Sequence, residues 1–532
     1  MNDRPGRLVS PHVTYDGRFR RWRRDLDDGP PRLPLAPGEL SNGEFVPRPP
    51  TAGDRAVARS MYERSSEAAA RAGIDRRRFL QGAGGMAASL AVLNACSSGG
   101  DAAGPSTSSG SVPPSTSGYV VPPPEEVAEC ERTLGDRGEF IFDLHTHHVM
   151  PGGPWREASP RIAEMILTLV PEGCAEADPM VCLDRAAYVE AMFLASDTTV
   201  ALLSDVPNSG DGDAPVPFSE KRGTQEMVDA LTEGGAGRLL VHDVIAPNFG
   251  SLEQRLDLME ATAATGDVAA FKAYPAWGPA GTGYALDDPA IGIPVVEQAR
   301  SLGVNVFCAH KGLPLLEFDQ RFNGPEDMVR LAKRYPQMDF VVFHSAFERE
   351  TYEGPYDPAS AERGVNSLIR AMDEVGVAAN TNLWADLGTA WREVLGDPEQ
   401  ASHLLGKLLS RVGEDRVCWG TDAIWMGSPQ PQIMAFRAFQ IGRDHQEQFG
   451  YPPLTDAVKA KVLGLNAARL FGLDPEATRC AVTPGALTEA RATYVGLVAD
   501  GAVPEPWRPH GPVTRREVLR WLRTDPMARG PV

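Results

Sequence analysis

The chain has 532 residues, 42% of them hydrophobic, and a formal net charge of −19 at pH 7. That length allows one large domain or two ordinary ones, with enough apolar material for a buried core. A strongly acidic surface repels phosphate backbones, so nucleic acid is excluded as an expected partner. The seven cysteines (Cys96, Cys130, Cys174, Cys182, Cys308, Cys418, Cys480) form no CxxC pair and no zinc-finger spacing. Cys174 and Cys182 are close enough in one loop to bridge, whereas Cys308 and Cys418 sit in apolar runs and read as buried thiols.

Residues 1–70 are rich in Arg, Pro and Gly, without apolar periodicity longer than a turn, and are expected to be disordered or loosely structured. Asp75-Arg76-Arg77-Arg78-Phe79-Leu80-Gln81 then precedes a mildly apolar run, Gly82–Ala95, too short to span a bilayer as a helix. This order resembles a twin-arginine export signal, and Leu93-Asn94-Ala95-Cys96 resembles a lipobox with Cys96 as the lipidated residue. The resemblance implies export and a lipid tether through Cys96. The other reading is an amphipathic helix followed by a linker. Ser97 to Gly118 has the composition of a flexible tether. Because the run lies so far along the chain, either the leader is unusually long or translation begins at Met61. The expected division is a leader over 1–70, a signal segment over 71–96, a linker over 97–125, a barrel over 126–482 and a C-terminal extension over 483–532.

From Glu139 onward, short β-branched or apolar runs alternate with helical patterns at intervals suited to βα units. The predicted strands are Phe140–Leu144, Thr199–Ser204, Leu239–Ile245, Val268–Ala273, Val304–Ala309, Phe340–Phe343, Val377–Asn380 and Val417–Gly420. Helix-like segments between them include Leu252–Thr265, Ile293–Leu302, Pro325–Arg334 and Glu399–Val412. Eight strands alternating with helices predict the α/β class and a closed (β/α)₈ (TIM) barrel, ahead of an open doubly wound sheet. No GxGxxG follows the first strand, which argues against a dinucleotide fold.

The polar residues fall where such a barrel does chemistry, at the C-terminal strand ends. Strand one ends in Asp143-Leu144-His145-Thr146-His147, strand four carries Lys272, strand five His310, strand six His344 and strand eight Gly420-Thr421-Asp422. His145 and His147, two apart on a strand, point the same way. Nitrogen and oxygen donors without thiolate suit Zn²⁺ first, then Mn²⁺, Fe²⁺ or Co²⁺. A bound cation brings the pKa of its water down to about 7, which provides activated hydroxide. Asp422 could then take and return the proton. Singly, an HxH is often chance, a lysine an ion-pair partner and a strand histidine a core residue; together, in this order, they point to a metal site.

This constellation resembles the amidohydrolase superfamily over about residues 139–475. Asp143–His147 is similar to its first-strand DxHxH, Gly420-Thr421-Asp422 to its eighth-strand GTD, and Leu463–Phe471 to the helix that closes related domains. The resemblance implies that His145 and His147 bind the deep metal, with Asp422 as shared ligand and proton shuttle. His310 and His344 would hold a second metal, or divide into a ligand (His310) and a polarising base (His344). Phe271-Lys272-Ala273-Tyr274-Pro275-Ala276 is similar to the fourth strand of dihydroorotase-like members, where a carbamylated lysine bridges two metals. The decarboxylase-like branch lacks that lysine and uses one.

Three long βα loops, 148–197, 274–288 and 345–364, are expected to choose a small-molecule substrate, the first as a partly helical lid. Tyr274, Trp277, Phe347, Trp384 and Trp425 near the strand ends lean towards an apolar or aromatic one. His148 reads as structural, and His242 as either pocket or core. Thr483–Val532, with a helix-like Thr514–Arg523, reads as an extension on the barrel exterior. The first functional reading is a metal-dependent hydrolase of an amide, lactone or ester. The second is a mononuclear non-oxidative decarboxylase, in which Lys272 would grip substrate or pair with Asp422. A tethered binding lipoprotein with a dead barrel would require a missing ligand.

Overall fold

The computed structural model describes residues 33–97, 114–171, 173–210, 212–232, 237–314, 318–482, 486–499 and a few positions between 511 and 518. Eight parallel strands follow chain order around one sheet: β1 (Phe142–His147), β2 (Val200–Ser204), β3 (Leu239–Ile245), β4 (Val268–Ala273), β5 (Val306–His310), β6 (Asp339–Phe343), β7 (Leu383–Asp386) and β8 (Val417–Cys418). The ladder is closed by backbone hydrogen bonds between β1 and the segment after β8. Leu144 N donates to Trp419 O (3.1 Å), Asp422 N to His145 O (2.8 Å) and Ile424 N to His147 O (3.2 Å). Helices Phe218–Asp229, Leu252–Ala263, Gly292–Ser301, Glu326–Arg334, Val365–Val375 and Pro398–Lys407 connect successive strands from β2 to β8. The expected TIM barrel is what the chain forms.

Period-two alternation divides each strand between two cores. One set, including Val200, Leu202, Ala270, Cys308, Val341, Phe343 and Cys418, fills the barrel interior. Its neighbours in sequence, such as Phe271, Ala273, Phe307, Ala309, Phe340 and Val342, pack outward against the helices. Continuing the inward set towards the C-terminal ends reaches Ser204, Lys272, His310 and Asp386. The apolar filling and the polar mouth therefore share one strand face. Cys308 and Cys418 are buried free thiols, and Cys174 is joined to Cys182 by a disulfide.

One strand differs from expectation. Val377–Asn380 is not the seventh strand; β7 begins at Leu383. Gly376 adopts a left-handed conformation (φ 73°) at the end of helix Val365–Val375, and Val377 N donates back to Met372 O (2.9 Å). An apolar residue after such a glycine packs against the helix it closes, so the run Val-Ala-Ala is a cap that imitates a strand.

The N-terminal region also departs from expectation. Residues 33–70, read as disordered, are ordered. A strap over 33–50 with Leu33, Leu35 and Leu40 buried leads into α1 (Ala52–Ala72), which opens on a Thr51/Asp54 capping box. Then follow α2 (Arg76–Leu80), capped by Asp75, and α3 (Ala83–Ser97). α3 is the apolar run of the signal-like segment, and it lies in the main core: Met86, Ala87 and Leu90 are fully buried beside Met61 of α1 and Leu134. Asn94 Nδ2 donates to Tyr119 O (2.6 Å) and Tyr119 N to Asn94 Oδ1 (2.8 Å), while Cys96 is exposed. Cleavage before Cys96 would strip this helix from the core. Much of the predicted linker, 98–113, and most of Thr514–Arg523 lie outside the described residues.

Leu90→Ala is expected to destabilise the chain by about 2–5 kcal/mol through loss of buried contact and the cavity left behind. A denaturation midpoint unchanged from wild type would show that α3 is not part of the folded core.

Candidate metal centre

The turns that carry the site are built for close approach. A Cβ on Gly420 would lie 1.9 Å from Asp386 Oδ1 and 2.9 Å from His145 Cβ, so no side chain fits there. Thr421 donates to Asp143 through its backbone N (3.1 Å) and its hydroxyl (2.5 Å), which locks the last strand end to the first. His344 and Asp422 both hold left-handed backbone conformations (φ 62° and 61°). For non-glycine residues this costs on the order of 1–3 kcal/mol each and persists only where the surroundings enforce it. Here Asp386 accepts from His344 N (3.1 Å) and His145 O from Asp422 N (2.8 Å).

All six predicted ligand residues are buried at the barrel mouth, and five of them fall into two groups. In the first, Asp422 Oδ1 lies 3.2 Å from His147 Nε2 and 3.5 Å from His145 Nε2. In the second, His344 Nε2 lies 3.2 Å from His310 Nδ1. That second group has a member the sequence reading missed: Glu44 Oε1, from the N-terminal strap, is 3.4 Å from His310 Nδ1 and 3.8 Å from His344 Nε2. Donor atoms around a four-coordinate cation with bonds of about 2.0–2.1 Å stand about 3.3 Å apart, which both groups approach.

The outward ring nitrogens decide what the inward ones can do. His145 Nδ1 is 2.8 Å from Asp386 Oδ2, His344 Nδ1 is 2.9 Å from Gly388 O and His310 Nε2 is 3.0 Å from Leu313 O. The two carbonyls only accept, and Asp386 accepts in its ionised form, so with Asp386 ionised each imidazole puts its proton there and turns a lone pair inward. Burial also holds the rings neutral: the His145 and His310 pKa values fall well below the usual value, and that of His344 falls to about 4. Burial pushes the Asp386 carboxyl up to about 7, against hydrogen bonds from His344 N and Gly388 N. Burial raises Asp422, but hydrogen bonds with His147 and Asn42 act the other way, and it stays below the usual carboxylate range. Neutral imidazoles and an ionised carboxylate are the ligating forms, so the residues present fit a divalent cation.

Lys272 joins neither group. Its Nζ donates to Ser204 Oγ (3.0 Å), lies 3.5 Å from His145 Nε2, and sits over the rings of Tyr274 and Phe343 at 4.7 and 4.4 Å. Among the described residues no carboxylate comes within 4 Å of it. Burial lowers its pKa to about 8, which leaves a share of neutral amine at neutral pH, the form carbamylation needs.

The cavity at the mouth is walled by Tyr274, Phe318 and Trp425, with Met165 and Leu169 from the partly helical insertion after β1. Tyr274 stacks on His310 (5.4 Å) and Trp425 on His147 (5.4 Å). Of the other aromatic residues named from sequence, Trp277 stacks on Phe249, Phe347 is in the outer core and Trp384 packs under Arg416. His148 bonds Thr224 (2.9 Å) as a structural residue, and His242 is buried beside Phe343 without lining the cavity. Asp386 lies at the end of the true seventh strand, outside the Val377–Asn380 run that has the strand pattern. Nothing in the sequence signalled Asn42 or Glu44.

A family model described as "Amidohydrolase" matches residues 196–473, a little over half of the chain. The chain belongs to the amidohydrolase family. The match holds Lys272, His310, His344 and Asp422 and begins after β1, so His145 and His147 are placed by the structure. Among solved structures, 5-carboxyvanillate decarboxylase from Sphingomonas paucimobilis is similar at 15% identity and a TM-score of 0.41, covering 63% of this chain and 100% of that one. The 5-carboxyvanillate decarboxylase from Novosphingobium aromaticivorans, complexed with manganese, shows 14% identity and a TM-score of 0.36 over 64% of this chain and 97% of that one. An amidohydrolase from Mycobacterium avium subsp. paratuberculosis shows 12% identity and a TM-score of 0.35 over 63% of this chain and all of that one. No curated protein matches.

Asp386→Ala should weaken cation binding by this amidohydrolase by about 10–100-fold, because His145 loses the acceptor that fixes its tautomer. Calorimetric titration with Zn²⁺ measures it, and an affinity equal to that of wild type would remove Asp386 from the site.

Proposed function

We propose that this amidohydrolase is a metal-dependent hydrolase of a small organic amide, lactone or ester. The observation that carries the reading is the convergence of two three-atom donor groups, all neutral nitrogens and carboxylate oxygens, on one aromatic-walled cavity at a barrel mouth. Its donor chemistry suits Zn²⁺ and also Mn²⁺. A divalent cation held there would supply Lewis acidity and ease the deprotonation of water at neutral pH.

The chain's own residues supply the rest. Asp422 is oriented through Oδ2 by Asn42 Nδ2 (2.6 Å) and Thr389 Oγ1 (2.7 Å), leaving Oδ1 towards the histidines. That oxygen can take a proton from the attacking water and return it to the leaving group. His344, held by Gly388 O, turns Nε2 towards His310 and Glu44 and would act as ligand or as a polariser of the substrate carbonyl. Tyr274, Phe318 and Trp425 keep bulk water out and favour a flat, apolar acyl group.

A second reading is non-oxidative decarboxylation, and Lys272 favours it. A buried amine with no carboxylate beside it could pair with a substrate carboxylate. Chelator-stripped protein, reloaded with Zn²⁺ or Mn²⁺, should regain hydrolysis of lactones, amides or esters without releasing CO₂. Asp422→Asn should lower kcat by about 10²–10⁴-fold. CO₂ released from aromatic carboxylic acids, with no hydrolysis, would replace the first reading by the second.

A further inference from the structure

Residues 33–50 cross the barrel mouth as a strap fastened at several points. Glu39 pairs with Arg349, whose guanidinium lies 4.6 Å over the Phe45 ring; Arg392 donates to Ala36 O (3.3 Å) and Ser41 N to Pro512 O (3.0 Å). Between these anchors Asn42 and Glu44 turn inward. Asn42 Nδ2 bridges Asp422 Oδ2 (2.6 Å) and Glu44 Oε2 (2.7 Å), and Glu44 N donates to Asn42 Oδ1 (3.1 Å). The Glu44 carboxylate is thereby oriented, with Oε1 directed at His310 and His344.

His310 uses its proton at Nε2 for Leu313 O, and His344 uses its own at Nδ1 for Gly388 O. His310 Nδ1 and His344 Nε2 then face each other at 3.2 Å as two lone pairs, with a carboxylate oxygen as third neighbour. Two imidazole nitrogens and a carboxylate oxygen are donor types that a divalent cation takes, and one ion at their centre would engage all three. Their spacings of 3.2, 3.4 and 3.8 Å leave room for a divalent ion.

We propose that Glu44 is a metal ligand, and that the strap completes with His310 and His344 a second cation position beside that of His145, His147 and Asp422. This rests on the reading of the mouth as a metal centre. It makes residues far ahead of the barrel part of the active site, and it couples metal to strap: a cation that binds only the strapped form holds the strap down.

The test counts cations and measures affinity on the full chain. Glu399, His403 and His445 form another group of donors elsewhere, so all measurements use a His403→Ala background. Zn²⁺ is titrated calorimetrically and bound metal is counted after dialysis. The expected result is two ions per chain, with Glu44→Gln retaining one and binding the second at least about tenfold more weakly. His310→Ala should lose the same ion, and the double variant should be no worse than the weaker single one, since both residues act on one site. Thermal melts of the metal-free variants check folding. Two ions bound with unchanged affinity by Glu44→Gln would overturn the proposal, as would a single ion in the parent chain that this substitution leaves unaffected. No ion bound by the parent chain would overturn the metal-centre reading as well.

Discussion

The backbone hydrogen bonds between β1 and the segment after β8 are the constraint on which the site depends. Asp422 N–H reaches His145 O and Ile424 N–H reaches His147 O, joining segments far apart in the chain. Without that closure the paired histidines and the aspartate would sit at the two edges of an open sheet. With it, both histidine Nε2 atoms come within 3.5 Å of Asp422 Oδ1. Closure also removes both sheet edges, so the structure that assembles the site protects the sheet from pairing with other chains.

Around that junction, unfavourable local states are held by specific acceptors. Left-handed backbone at His344 and Asp422 is opposed by sterics and sustained by Asp386 and the His145 carbonyl. Asp386 alone serves the His145 ring, the His344 backbone and the Gly388 backbone, from a position where burial disfavours its charge. The lone pairs that face the cavity follow from these outer contacts. The inner residues have the right chemistry, and the outer ones decide which nitrogen presents it.

The N-terminal region changes how the barrel is closed off from solvent. Its helices are not an appendage: α3 contributes fully buried Met86 and Leu90 to the core that also holds the outer faces of the strands. The strap ahead of them reaches the functional end of the barrel, where Asn42 and Glu44 line the cavity. Substrate must enter past, or under, a segment held by Arg349 and Arg392. Together with the insertion that presents Met165 and Leu169, this narrows the cavity and adds apolar side chains to its wall.

What the sequence determined by itself is what local pattern encodes. Alternation of apolar runs with helical periods is enough for the barrel, because each βα unit carries its own signal. The type and order of donors at the strand ends are enough for the family and the metal chemistry. The disulfide between neighbouring Cys174 and Cys182 was legible for the same reason. Tertiary structure alone decided the rest. Val377 looked like a strand until its place after Gly376 made it a cap, and that error hid Asp386. Residues 33–50 read as disorder because a strap has no period of its own; its order comes from partners on the barrel and at Pro512. Glu44 enters the site through contacts more than 260 residues away in sequence, and no local rule relates a carboxylate to histidines at that separation. Repeating elements can be read one at a time, whereas a singular long-range contact exists only once the chain has folded around it.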